Sequence, residues 1–167
     1  MLLVYTGDGK GKTSASVGQC VRALGQGLRV AFAQFMKRDG QAGEQAVLSR
    51  LLGKNFFAGG AGFFRQEAER PVHRQAALRV LAWAREQLPQ VDMLVLDESL
   101  YALGNGLLER AELEDVLTAA LTRGTHVVLS GRNAPDWLIA RADVVSTIME
   151  SKHPWRNGVS AQKGIEF

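Results

Sequence analysis

LLVYTGDGKGKTSAS, at residues 2–16, is the stretch of sequence that decides the predicted fold. An apolar run, Leu2–Tyr5, leads into a glycine-rich loop that ends in GKT at residues 11–13, and residues 14–24 have the pattern of a helix. A loop of this kind between a strand and a helix turns successive backbone N–H groups toward one point, and the start of the helix adds partial positive charge. The stretch therefore predicts a phosphate-binding loop.

The side chains of this loop support the same interpretation, with one departure. The ammonium of Lys12 is expected to neutralise phosphates, and the hydroxyl of Thr13 to bind Mg²⁺. The general motif GxxxxGK[ST] has its first glycine where this chain has Thr6, so the loop is a variant. Such a turn can use its glycines for packing alone, but Lys12 and Thr13 favour phosphate binding. Asp8 would repel a triphosphate and is expected to face a metal, a ribose hydroxyl or backbone donors.

Length and composition predict a single domain of a soluble, globular protein. The 167 residues are 46% hydrophobic and 22% charged, and no apolar stretch approaches the roughly 20 residues of a membrane span. The N-terminus lacks the pattern of an export signal, which favours the cytoplasm. The single cysteine, Cys20, excludes a disulfide framework and a four-cysteine zinc site, and is expected to be buried. The net charge of +3 comes from scattered basic residues and gives little support for nucleic-acid binding.

Apolar runs alternate with helical patterns along the whole chain, as in an α/β protein. The sequence predicts strands at residues 2–5, 29–35, 55–57, 91–96, 125–130 and 144–149, and helices at residues 14–24, 43–52, 71–88, 109–122 and 135–142. Nearly continuous apolar strands separated by helices indicate a mostly parallel sheet that is covered on both faces. In such a sheet ligands bind beyond the carboxyl ends of the strands. We therefore expect one domain, residues 1–167, with its site at that edge.

Polar residues follow two of the predicted strands. Asp97 and Glu98 end one strand, and an acid there, beside a phosphate loop, normally supports Mg²⁺ directly or through water. Capping of the next helix is the alternative for Asp97, whereas Glu98 is either a ligand of Mg²⁺ or the base that activates water in an ATPase. Arg132, in SGRNAP, follows another strand, where its planar guanidinium can reach phosphate or ribose or form a surface ion pair.

Aromatic residues and histidines are the remaining candidates. The phenylalanines at positions 56, 57, 63 and 64 surround a glycine-rich loop and are either core residues or a wall against a flat apolar ligand. His73 and His126 are predicted as a surface residue and a strand residue. His153 has no second ligand at metal spacing, which argues against a histidine metal site.

Together these segments resemble the ATP:corrinoid adenosyltransferase family of the cobalamin-biosynthesis type. The resemblance extends from GDGKGKTSAS at residues 7–16, through VLDE at 95–98 and SGRNAPDWLIARAD at 130–143, to SKHPWRNGVSAQKGIEF at 151–167. It implies a P-loop fold with a RecA-like, mostly parallel sheet and helices on both faces, usually as a homodimer. It also implies transfer of the 5′-deoxyadenosyl group of MgATP to the cobalt(I) of a reduced corrinoid. Triphosphate would be released, and ATP would be reversed relative to other P-loop proteins.

The resemblance assigns roles to particular residues. Thr13 and Glu98 would hold Mg²⁺, and Asp97 is added to them as a metal residue by its place at the end of a strand. Phe63 matches the phenylalanine that packs beneath the corrin in the family, removes the lower ligand of cobalt and so helps the reduction of cobalt(II) by a flavoprotein partner. The residues expected to bind the nucleotide are Gly7, Asp8, Gly9, Lys10, Gly11, Lys12, Thr13, Ser14, Arg22 and Arg132, and those expected to act in catalysis are Lys12, Glu98, Phe63 and Arg132.

The chain departs from the family pattern in two places. Some relatives have a tryptophan two residues after the phenylalanine, where this chain has Arg65, and Phe64 is the candidate substitute. Some relatives also have an N-terminal extension that folds over the site, whereas the first strand here begins at Leu2. We therefore expect either a more open site or a cover from another segment, such as the C-terminal tail.

Two other functions stay open from the sequence. One is a RecA-like ATPase or a nucleotide kinase with Glu98 as the base, which would release ADP and phosphate. The other is a nucleic-acid-binding P-loop module, against which the scattered charge argues. The adenosyl transfer implied by the resemblance needs no base, because cobalt(I) is itself a strong nucleophile.

Overall fold

Six parallel strands form the centre of the computed structural model, which describes residues 1–166. The strands are β1 (Leu2–Thr6), β2 (Val30–Gln34), β3 (Phe56–Ala58), β4 (Met93–Asp97), β5 (His126–Ser130) and β6 (Val144–Thr147). They lie in the order β3-β2-β4-β5-β1-β6, and each neighbouring pair is parallel. The predicted α/β fold with a parallel sheet is confirmed, although β6 ends before the predicted residue 149.

Helices cover both faces of this sheet. They are α1 (Lys12–Gly25), α2 (Gly43–Leu52), α3 (Arg70–Gln87), α4 (Ser99–Gly104), α5 (Arg110–Thr122) and α6 (Asp136–Arg141), with 3₁₀ turns at Gly53–Asn55, Glu67–Glu69, Leu88–Gln90 and Pro154–Asn157. The sequence pattern does not predict α4, because six residues are too few to show a helical period. Within the described part of the chain, no helix combines the length and the apolar character needed to cross a membrane.

Side chains of the strands alternate between two apolar cores. On one face Leu94 and its neighbours in the sheet pack against α3 and α5, and on the other Val95 and its neighbours pack against α1 and α2. Each fully buried side chain of this size stabilises the fold by roughly 1.5–3 kcal/mol. Cys20 lies in the second core as predicted, and burial raises the pKa of its thiol to about 11.

The strand register gathers polar residues at the carboxyl edge of the sheet. Gln34 of β2 is in register with Asp97 of β4, and Tyr5 of β1 is in register with Ser130 of β5. The phosphate loop after β1, the acids at the end of β4 and the SGRNAP segment at the end of β5 therefore lie side by side at this edge. This edge is the place where a doubly covered parallel sheet binds its ligands.

Candidate functional site

A cavity of about 770 Å³ lies at this edge. Gly7 and Asp97 lie next to it, because Gly7 contacts Lys12 and Asp97 contacts Thr13, whereas Arg22 is exposed on α1 and does not line it. A volume of this size accommodates a nucleotide. The predicted residues that line the cavity are Asp8, Gly9, Lys10, Gly11, Lys12, Thr13, Ser14, Phe63, Glu98 and Arg132.

The phosphate loop packs tightly against the chain that follows β6. The backbone N–H of Gly9 donates to the carbonyl oxygen of Ile148 at 2.8 Å, and a Cβ on Gly9 would lie 2.6 Å from the carbonyl carbon of Met149. Gly7 has a φ of 98°, and a Cβ on it would clash with the carbonyl oxygen of Ile148. Close approach of two backbones therefore requires glycine at both positions.

Thr6 occupies the place where the general motif has a glycine, and its side chain makes a contact that glycine lacks. Thr6 is buried, and its Oγ1 accepts the backbone N–H of Ala134 at 3.2 Å. This bond ties the phosphate loop to the SGRNAP segment, which carries Arg132. The departure from the general motif thus links two parts of the cavity wall.

The side chain of Lys12 folds back over the phosphate loop. Its ammonium donates to the carbonyl oxygens of Gly7 at 2.7 Å and Gly9 at 2.6 Å. Burial and the nearby guanidinium of Arg132 lower the pKa of Lys12, and neighbouring carboxylates, Asp8 foremost, oppose this effect. Lys12 and Arg132 together give this side of the cavity a positive potential that favours a polyanion.

Asp97 is the centre of a buried hydrogen-bond network. It accepts from Ser130 Oγ at 2.6 Å, from Gln34 Nε2 at 3.1 Å and from Thr13 Oγ1 at 3.1 Å. The N-terminal cap position of α4 is Glu98, without a side-chain capping bond, so Asp97 faces the phosphate loop rather than the helix. Asp97 therefore does not cap α4, and its role at the site stays a prediction.

Glu98 has an unusual backbone and an unpartnered carboxylate oxygen. Its φ of 61° lies in the left-handed region, which costs a non-glycine residue about 1–3 kcal/mol and is concentrated at functional sites. Its backbone N–H donates to Ser130 Oγ at 2.9 Å, while its Oε2 is buried without a hydrogen-bond partner. Burial first, and the charge of Asp97 second, raise the pKa of Glu98 to about 7.

Lys37 and Glu44 belong to the same cluster, and the sequence reasoning missed both. The ammonium of Lys37 donates to Glu44 Oε1 at 2.9 Å and to Thr13 Oγ1 at 3.1 Å, and lies 3.3 Å from Asp97 Oδ2. Burial acts to lower the pKa of Lys37, but the carboxylates around it, Asp97 foremost, outweigh burial and raise it. The position of Lys37, shortly after β2 at the carboxyl edge, is the signal that could have revealed it.

The oxygen atoms of this cluster fit Mg²⁺. Mg²⁺ prefers oxygen ligands and is commonly bound by one or two carboxylates together with the phosphates of its nucleotide. Thr13, Asp97 and Glu98 supply a hydroxyl and two carboxylates, and the unpartnered Oε2 of Glu98 is free to bind a cation. In residues 1–166 there is no group of three or more His, Cys, Asp or Glu residues arranged to hold a metal on their own.

Comparison with known proteins identifies the family of this chain. The sequence model described as "ATP:corrinoid adenosyltransferase BtuR/CobO/CobP" matches residues 1–167. The chain belongs to the ATP:corrinoid adenosyltransferase family. The predicted resemblance and enzyme class are confirmed, as is the predicted activity class, the adenosylation of corrinoids, and the ATPase or kinase alternative is not favoured.

Two curated relatives illustrate the match. A corrinoid adenosyltransferase of Pseudomonas aeruginosa is 38% identical over 173 residues, covering 100% of this chain and 83% of that protein. Corrinoid adenosyltransferase CobA of Salmonella typhimurium is 34% identical over 171 residues, covering 100% of this chain and 85% of that protein. Among solved structures, AMPPCP-bound DnaA from Aquifex aeolicus has a TM-score of 0.45 and 16% identity; the alignment covers 88% of this chain and only 39% of that one.

In this corrinoid adenosyltransferase family member, Phe63 is the member of the predicted aromatic cluster that faces the cavity. Its side chain lines the cavity wall and is 57% exposed. Phe56 instead packs near Phe32, with ring centroids 6.3 Å apart, and Phe57 packs near Trp83 at 5.5 Å. The structure therefore divides the predicted aromatic cluster into packing residues and one residue available to a ligand.

Phe64 anchors the loop that presents Phe63. Its ring lies edge-on to His73 at 5.4 Å, and the guanidinium of Arg70 lies 5.0 Å from the ring centroid. The prediction of His73 as a surface residue is wrong, because α3 turns it inward against this ring and leaves it 6% exposed. On the other side of the loop, Arg38 Nε donates to the carbonyl oxygen of Ala61 at 2.7 Å.

The C-terminal segment forms another wall of the cavity. The residues of this segment that line the cavity are Glu150, His153, Gly164, Ile165 and Glu166. Arg156 Nε donates to Glu150 Oε1 at 2.6 Å and holds the start of this segment in place. The C-terminal tail therefore lies beside the cavity, and whether it also covers the site stays a prediction.

Proposed function

We propose that this chain transfers the 5′-deoxyadenosyl group of MgATP to the cobalt(I) of a reduced corrinoid and releases triphosphate. The observation that carries the proposal is that the phosphate loop, Glu98 at the end of β4 and the exposed ring of Phe63 line one cavity. The polar wall suits a triphosphate with its cation, and the aromatic ring suits a flat, largely apolar macrocycle. An ATPase needs the polar wall alone.

We infer that the triphosphate lies along residues 7–14. Lys12 would exchange its bonds to the loop carbonyls for bonds to phosphate oxygens, and Arg132, which lies near Lys12, would also contact the nucleotide. Thr13, Asp97 and Glu98 would hold Mg²⁺, which when bound neutralises charge on the phosphates. Nucleotide contact by Arg22 is proposed on family likeness alone, since Arg22 lies outside the cavity wall.

The proposed chemical step breaks one bond and forms one. Cobalt(I) attacks C5′ of ATP, the cobalt–carbon bond forms, and the C5′–O bond breaks with its electron pair staying on the departing triphosphate. No proton moves, so the step requires no general base, and we assign Glu98 to the metal rather than to activation of water. The chain contributes in-line positioning and positive charge toward the leaving group, the latter from Lys12 and Arg132.

Phe63 is proposed to act on the other substrate. Placed beneath the corrin, its ring would displace the lower ligand of cobalt and make cobalt(II) easier to reduce. Reduction of cobalt(II) needs one electron, because cobalt(I) is the attacking species. We propose that a flavoprotein supplies this electron. A homodimer and a cytoplasmic location are proposed from family likeness and from the sequence.

Product analysis tests this function. Purified protein is mixed with MgATP and chemically reduced cobalamin, and we expect adenosylated corrinoid and triphosphate in equal amounts. Formation of ADP without adenosylated corrinoid would overturn the proposal in favour of an ATPase, which releases phosphate as well, or of a kinase, which transfers the phosphoryl group to an acceptor. The control is Lys54→Ala, which removes an exposed charge outside the cavity wall and should leave the products unchanged.

A further inference from the structure

The ammonium of Lys37 lies among the oxygens that we assign to Mg²⁺. It donates to Thr13 Oγ1 at 3.1 Å and lies 3.3 Å from Asp97 Oδ2, and both residues belong to the proposed metal site. Its side chain is only 18% exposed, and Asp97 is fully buried. The ammonium of Lys37 thus places a positive charge between the carboxylates of Asp97 and Glu44.

The oxygens of Thr13 and Asp97 cannot bind the ammonium of Lys37 and Mg²⁺ at the same time. Mg²⁺ binds its oxygen ligands at about 2.0–2.1 Å and demands near-ideal octahedral geometry. A hydroxyl and a carboxylate that are both engaged by an ammonium would have to give up that bond before they could bind the metal. The ammonium and the metal ion would also repel each other at such short range. Lys37 and Mg²⁺ therefore compete for Thr13 and Asp97.

Glu44 is a second hydrogen-bond partner for the ammonium of Lys37. Its Oε1 accepts from Lys37 at 2.9 Å and from Gln34 Nε2 at 3.1 Å, so the carboxylate is fixed from the side of β2. Glu44 and Lys37 both line the cavity. A small rotation of the lysine chain can therefore release Thr13 and Asp97 while the ammonium keeps Glu44 and turns toward the space where phosphates would lie.

We propose that Lys37 makes metal binding depend on the nucleotide. Its ammonium excludes a free divalent cation from Thr13 and Asp97, and the phosphates of the metal–nucleotide complex draw it away and take it as a counter-ion. The metal then enters the site with its nucleotide rather than ahead of it. This inference rests on the metal placement given under the proposed function.

Binding of Mn²⁺ in the absence of nucleotide, followed by electron paramagnetic resonance, tests the inference. We compare the wild type with Lys37→Met, which removes the ammonium, with Lys37→Arg, which keeps the charge, and with Lys54→Met as a control at an exposed lysine. Lys37→Met should bind Mn²⁺ at least 10-fold more tightly than the wild type, and the other two variants should stay within about threefold. Equal affinity of Lys37→Met and the wild type would overturn the inference.

Two further measurements separate this inference from the metal placement itself. Asp97→Asn should weaken binding of Mn²⁺ with ATP; if it does not, the metal placement fails. If Asp97→Asn does weaken it, but Lys37→Met leaves Mn²⁺ binding unchanged, the inference about Lys37 fails while the metal placement stands.

NMR signals of the lysine ammonium groups in the wild type give a second test, which does not depend on whether Lys37→Met folds. The Lys37 signal, assigned by its loss in Lys37→Arg, should persist in millimolar MgCl₂ and shift with MgATP, and displacement by MgCl₂ alone would overturn the inference.

Discussion

The hydroxyl of Ser130 donates to Asp97 Oδ1 at 2.6 Å, and both residues are buried. The same hydroxyl oxygen accepts the backbone N–H of Glu98 at 2.9 Å, so one side chain of β5 contacts both acids at the end of β4. Loss of the hydroxyl would leave the backbone N–H of Glu98 without this acceptor and would remove one of the two hydrogen bonds to Asp97 Oδ1, the other being from Thr13. The relationship therefore couples stability to the geometry of the proposed metal site.

Ser130→Ala is expected to lower the free energy of unfolding by about 1–3 kcal/mol, the cost of an unsatisfied buried polar group. It should also weaken binding of Mg²⁺ with ATP, because the carboxylates lose their fixed orientation. Urea unfolding and a calorimetric titration measure the two effects. Ser49→Ala, at an exposed position on α2, is the control. A Ser130→Ala protein with wild-type stability and affinity would contradict this role.

Glu98 should make the protein less stable as the pH rises from about 4.5 to about 7. Burial and Asp97 raise the pKa of Glu98 from 4.5 to about 7 in the folded protein. In this pH range the folded state binds more protons than the unfolded state, so the free energy of unfolding falls with pH and the full loss is reached above pH 7. A pKa shift of one unit corresponds to about 1.36 kcal/mol, so the free energy of unfolding falls by up to about 3 kcal/mol over this range.

Glu98→Gln should remove this pH dependence. The stability difference between the variant and the wild type, measured by urea unfolding in EDTA, should grow in favour of the variant between pH 4.5 and pH 8. Glu86→Gln, at an exposed position on α3, should show no such growth. A constant difference between Glu98→Gln and the wild type across this range would show that the carboxyl group titrates normally.

Local sequence was sufficient to predict the glycine-rich loop between β1 and α1 and the acids at the end of β4. The loop lies within ten residues of one strand and one helix, and the rule that parallel strands present ligands at their carboxyl ends applies directly to Asp97 and Glu98. The period of apolar residues also predicts which segments are strands, but not which strands are neighbours. The order β3-β2-β4-β5-β1-β6 therefore comes from the structure alone.

Contacts over long sequence distances were not predictable. Lys37 is 60 residues from Asp97 and 24 from Thr13, and it meets both only because β2 lies beside β4. His73 shows the same limit, since a histidine in an amphipathic helix gives no sign of its partner. Its burial depends on Phe64, which belongs to a loop that has no periodic pattern.

Phe63→Ala is expected to slow adenosyl transfer much more when cobalt(II) must be reduced on the enzyme than when cobalt(I) is supplied. The ring is 57% exposed, so its loss should change the free energy of unfolding little, and the effect should fall on the reduction step. Rates from cobalt(II) with a reductant and from chemically prepared cobalt(I) measure the contrast. Val72→Ala, an exposed apolar residue on α3, is the control. Equal losses in both assays would exclude Phe63 from the lower face of the corrin.

Gly9→Ala and Gly18→Ala should change stability in opposite directions. A Cβ on Gly9 would lie 2.6 Å from the carbonyl carbon of Met149, so the phosphate loop or the chain after β6 must shift, and both the free energy of unfolding and ATP affinity should fall. A Cβ on Gly18, in the middle of α1, meets no atom within 4 Å, and alanine there should stabilise the helix by roughly 0.5–1 kcal/mol. Urea unfolding and ATP titration of both variants check this contrast. Wild-type ATP affinity in Gly9→Ala would mean that close packing of the loop against the chain after β6 does not shape the nucleotide site.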